Sequence, residues 1–186
     1  MMMIKKLKEE TRWLHEQIED QNLATKIMDH SIDLPTYKLL LLQNYIAYRE
    51  TENEIKNHLP NYKAGKHLQL KQDLENLKVS TTIPAKNVIF ECHSPAEALG
   101  AAYVVEGSAL GGMLLAKNLQ HCIKLNEVDR HYFFNGDKEN LKDWNSFKKE
   151  LEAYNFNRAE EEEAIQKAKA TFLFFEKVFS MDLPIS

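Results

Sequence analysis

The chain has 186 residues, 44% hydrophobic and 28% charged, with a net charge of −4 and a pI near 6.0. That size suits one domain over residues 1–186 with a proper core, and the slightly acidic balance argues against nucleic acid as a partner. Two cysteines, Cys92 and Cys122, with no CxxC between them, exclude a zinc knuckle or a redox dithiol and fit a reducing compartment.

The opening MMMIKKLKEETRW turns charged at once and lacks the apolar stretch of a secretion signal. No run approaches the ~20 apolar residues of a membrane span. The expectation is a cytoplasmic protein with no membrane partner.

Glycine and proline are sparse, and apolar residues recur at three and four, which predicts an all-α chain without strands. The first helix covers residues 4–30, with a break near 20–22 and a stripe of Leu7, Leu14 and Ile18. A second runs from Pro35 to His58; proline suits its first turn, where the missing N–H would be unpaired anyway. A shorter helix covers 65–78, and 79–93 reads as a loop. Ser94-Pro95-Ala96-Glu97 is a capping-box signature that opens a long helix over 94–123. Residues 126–140 form a loop with aromatic anchors, followed by helices over 141–154 and from Asn157, capped with Glu160, to Met181. The acidic run 160–163 sits where free backbone N–H groups favour negative charge. Phe172, Phe175 and Phe179 share one face of the last helix and read as core.

The helix over 94–123 holds four of the six glycines: Gly100, Gly107, Gly111 and Gly112. Each costs roughly 1 kcal/mol relative to alanine in a helix interior. At about 100° per residue, Gly100, Gly107 and Gly111 fall within about 40° of one another. Such a bare strip admits either another helix or a flat ligand, and Gly112, off the strip, predicts a distorted helix and favours the ligand.

Among the seven histidines only His15 lies deep inside a predicted helix, with Glu19 one turn on. A carboxylate there can fix the ring of a metal-ligating histidine. Lys8 lies about 20° and Arg12 about 60° from His15 around the helix, which suits a ligand with carboxylates at its edge and a metal at its centre. No histidine has glutamate three residues before it, which argues against a ferritin-like di-iron centre. No P-loop, GxSxG or HExxH is present.

These segments resemble the biliverdin-producing heme oxygenases. LKEETRWLHEQIED, from Leu7, is similar to that family's proximal helix, and YVVEGSALGG, from Tyr103, to the glycine-rich distal helix of its bacterial branch. The resemblance implies a single-domain helical bundle with heme, both substrate and cofactor, sandwiched between the two. It implies His15 as iron ligand, Glu19 as its support, and Lys8, Arg12 and Lys148 at the heme propionates. It places Tyr103 and Phe172 at the pocket, and Gly107, Ser108, Gly111 and Gly112 on the distal side. Serine stands where animal members carry aspartate, and Glu152 where they carry arginine. The implied reaction cleaves heme with O2 to biliverdin, iron and CO, and an external ferredoxin or flavin reductase supplies electrons. A heme carrier or sensor on the same fold predicts the same His15 and glycine strip. A thiamin-metabolism enzyme of similar fold predicts a catalytic cysteine, and a purely structural module predicts no heme affinity.

Overall fold

Each helix boundary in the computed structural model, which describes residues 2–82 and 88–185, has a local cause. Helix α1 (Met2–Gln21) ends at Asn22, whose side chain bonds back to the Ile18 carbonyl at 2.8 Å and accepts from Ala24 N–H at 2.6 Å. A one-turn α2 (Thr25–Met28) follows, so the break in the first helix starts at Asn22, inside the expected 20–22. Helix α3 (Leu34–His58) starts at Asp33, which accepts from Thr36 N–H at 2.9 Å. Helix α4 spans Lys66–Asn76. Residues 83–87 of the predicted 79–93 loop lie outside the described residues.

Helix α5 (Pro95–Leu119) opens on Ser94, whose hydroxyl accepts from Glu97 N–H at 3.1 Å. The Glu97 carboxylate takes His93 N–H at 2.9 Å instead of Ser94 N–H, so the expected capping box is half formed. Helical structure is continuous through Gly112, so the distortion expected there is not seen. Helix α6 (Glu139–Ala153) begins two residues before the predicted 141, and α7 (Arg158–Phe179) opens on a complete capping box between Asn157 and Glu160. No strand occurs among the described residues.

Helix α5 is the axis of the bundle and packs on α7, α3, α6 and α2, while α1 lies along α7 and α6. It is long and apolar enough to cross a membrane, with a mean hydropathy of 1.4, which corrects the expectation that no such run exists. Its buried residues, Ala98, Ala101, Ala102 and Val105 among them, serve the protein core. Both thiols are buried, and burial pushes the Cys92 thiol up to about 12.

The aromatic loop after α5 is tied down by Asp73 of α4. Its carboxylate accepts the N–H groups of Tyr132 and Phe133 at 2.8 and 2.9 Å, and the Phe133 ring meets Tyr48 at 5.2 Å. Burial outweighs these two bonds and lifts the Asp73 carboxyl from 3.8 to about 6. Between those values the folded chain holds a proton that the unfolded chain has released, so stability declines as pH rises through the window. The shift corresponds to about 3 kcal/mol above pH 6. Asp73→Asn is therefore expected to gain stability relative to the parent from pH 4 to pH 7, by up to about that amount. Urea midpoints across that range check this, and a difference independent of pH contradicts it.

Candidate functional site

Three helices bring the two sequence motifs together. Lys6 pairs with Glu161, Lys169 with Glu10 and Gln17 with Glu176, so contacts climb α1 and α7 in step and the two run parallel. Gly100 abuts Ala164, while Ser108 reaches the Tyr48 hydroxyl, whose ring packs on Phe175. Helix α5 therefore runs the same way. His15 meets Phe172 edge-on at 5.8 Å between ring centroids. His15 and residues 107–108 thus stand at one height in the bundle, beside the turn of α7 that carries Phe172 and Phe175.

The two motif helices meet at Thr11 and Tyr103. The Thr11 hydroxyl donates to the Leu7 carbonyl at 2.7 Å and lies in hydrogen-bonding reach of the Tyr103 phenol, whose pKa burial raises. Tyr103 rests against Trp144 of α6 at 6.0 Å, and Lys148 holds its ammonium 5.3 Å from the Trp144 ring. One turn beyond this contact α1 carries His15, and one and two turns beyond it α5 carries Gly107 and Gly111.

His15 is accessible. Its side chain is 55% exposed, and its Nε2 lies 3.4 Å from a Glu19 oxygen. That is long for a charge-assisted hydrogen bond, so the pair does not commit the ring. Arg12 pairs with Glu16 at 3.3 Å. Lys8 is exposed beside them.

The glycine strip divides. A Cβ on Gly100 would sit 2.1 Å from the Ala164 carbonyl oxygen, so this glycine exists for the close approach of α7. That separates it from the ligand strip expected from its angular position. A Cβ on Gly107 would touch only Trp144, at 3.7 Å, and one on Gly111 or Gly112 would meet nothing within 4 Å. Leu110 and Leu114, on the same side of α5, are 61% and 51% exposed. Ser108 donates to the Val105 carbonyl at 2.7 Å.

A flat apolar dianion with a central metal fits this cleft. Bare backbone and two exposed leucines offer an apolar wall, cations stand on α1 and α6, and the half-exposed imidazole of His15 is level with that wall. Among the described residues no group of three histidine, cysteine or carboxylate side chains could hold a free metal ion. A lone histidine suffices where a macrocycle supplies the other ligands. Depressions of about 260 and 270 Å³ lie elsewhere, between Ile18 and Phe179 and beside Lys6 and Arg158.

The sequence profile of the heme oxygenase family matches residues 1–181. The chain belongs to the heme oxygenase family. Solved structures agree in fold. The NO- and CO-bound heme oxygenase of Neisseria meningitidis is 25% identical with a TM-score of 0.71, over 95% of this chain and 89% of that one. The heme oxygenase of Leptospira interrogans is 18% identical at a TM-score of 0.74, over 97% and 99%. That of the cyanobacterium Synechocystis, in complex with heme, is 17% identical at 0.71, over 95% and 90%. No curated protein matches the sequence.

Within this heme oxygenase fold, Glu152 has a structural job: its carboxylate accepts Ile4 N–H at 3.1 Å and ties α6 to the start of α1. Buried Thr11 and Trp144, which flank Tyr103, and exposed Leu110 and Leu114 beside the glycines were not singled out from sequence. The two leucines carried a signal, since both fall within about 60° of Gly107 around the helix. Trp144 carried a weaker one, one turn before Lys148.

Proposed function

We propose that this heme oxygenase holds heme between α1 and α5, with His15 as iron ligand and residues 107–112 as the opposite wall. The half-exposed imidazole of His15, level with the bare backbone of α5, carries this reading. Heme is cleaved to biliverdin, iron and CO, and bound heme itself supplies the oxygen chemistry.

The chain supplies binding, orientation and exclusion of water. Neutral imidazole at His15 offers one nitrogen lone pair, and a shift of Glu19 from 3.4 Å into hydrogen-bonding range would orient the ring through the other nitrogen. Lys8, Arg12 and Lys148 neutralise the two propionates, with Arg12 turning from Glu16 to do so. Phe172 packs against the imidazole edge and limits its rotation, and Tyr103 lines the cleft where the helices meet. Gly107, Gly111 and Gly112 permit a close approach that any side chain would block, while Leu110 and Leu114 keep that side dry. The Ser108 hydroxyl, bonded to the Val105 carbonyl and beside the Tyr48 phenol, is a side-chain hydroxyl of this wall that can take part in a water-borne proton path. Electrons come from an external ferredoxin or flavin reductase, in the cytoplasm, and O2 is the oxidant.

The test is spectroscopic. Hemin added to the purified chain is expected to give a Soret band, and ascorbate or a reductase system under O2 is expected to replace it with a biliverdin band. A Soret band that persists through reduction identifies a carrier, and no band at all rejects heme binding.

A further inference from the structure

We propose that Glu106, the residue before the glycine stretch, is a positioning residue that fixes where residues 107–112 stand against heme. This rests on the reading of that stretch as the heme-facing wall.

The glycines themselves cannot set their place. They present no side chain to a neighbour, and at Gly111 and Gly112 even an added Cβ would touch nothing. Their position is imposed by the residues around them: Ser108 at the Tyr48 hydroxyl within the stretch, and Glu106 in the turn that precedes it. There Glu106 points away from the cleft into a buried polar cluster. Its side chain is 7% exposed, and one oxygen takes both the Tyr62 hydroxyl at 2.6 Å and the Lys66 ammonium at 2.9 Å. Neither donor is free to follow if α5 turns.

Lys66 is the first residue of α4, and its backbone N–H is held by the fully buried Glu52 of α3 at 3.1 Å. The same carboxylate takes His67 N–H at 2.7 Å and approaches the His67 ring at 3.0 Å. Glu52 thus satisfies the open N–H groups at the start of α4, and that fixed helix end presents Lys66 to Glu106. The clamp runs from α3 through α4 to α5. Two donors from different segments on one carboxylate oxygen, at 2.6 and 2.9 Å, together restrain the rotation and the height of α5 one residue before Gly107.

Glu106→Gln keeps the shape and removes the charge, and Lys66→Met removes the donor. Both are compared with the parent by amide hydrogen exchange without heme and by the biliverdin isomers formed with heme. In both variants exchange at residues 107–112 is expected to rise about tenfold relative to α7, and more than one isomer is expected from a parent that makes one predominantly. Exchange that changes only in step with α7, or an isomer composition equal to the parent's in both variants, overturns the proposal. Failure of the heme-facing reading shows separately, as unchanged hemin affinity in Gly111→Leu.

Discussion

His15→Ala is expected to abolish the axial-ligand spectrum of the hemin complex and to slow ascorbate-driven heme cleavage by about 100-fold or more, equivalent to about 2.7 kcal/mol. The side chain is more than half exposed and meets the core only edge-on at Phe172, so its loss should leave the fold intact. The variant separates ligation from stability: far-UV circular dichroism and the urea midpoint should match the parent while the Soret band shifts. The truncation also leaves a space the size of imidazole beside Phe172, so added imidazole is expected to restore part of the spectrum and the rate. An unchanged spectrum in His15→Ala would move the ligand role to another residue.

The second large effect is a contrast between two glycines on one helix face. Gly100→Ala drives a methyl group into the Ala164 carbonyl oxygen, a clash with backbone that only separation of α5 and α7 relieves. Overpacking of this kind costs about 1–3 kcal/mol, and the rigidity of both partners puts this case at the upper end. Gly111→Ala meets nothing and removes the backbone-entropy cost of glycine, so it is expected to stabilise the heme-free protein by roughly 1 kcal/mol. Gly111→Leu should keep the fold and fail to bind hemin. Urea midpoints and hemin titrations read both changes. Equal stability effects at the two positions would contradict the division of the strip.

The helices were legible because their signals are local. Asp33, Ser94 and Asn157 cap the residues three positions on, and apolar spacing marks each buried face. The face of α1 that carries Lys8, Arg12, His15 and Glu19 was legible for the same reason. What stayed hidden depends on partners far along the chain. Gly100 and Gly111 differ little in angle, and only Ala164, brought up by α7, assigns them different tasks. Glu106 finds its partners 40 and 44 residues away, and Asp73 its own at 59 and 60. The capping box at Ser94 was half right because Glu97 had a competing N–H within reach, at His93.

The common direction of α1, α5 and α7 is countered by α3 and α6, which run the other way: Gln43 donates to the Met181 carbonyl while Tyr48 meets Phe175, and Glu152 takes Ile4 N–H while Trp144 stands beside Tyr103. Peptide dipoles therefore offset one another across the bundle, and what remains acts only within the first and last turn of each helix. The polarity of the cleft is left to its side chains, so neutralising Lys8 and Arg12 together is expected to remove, and not merely weaken, any preference for the end at which a ligand's carboxylate edge rests.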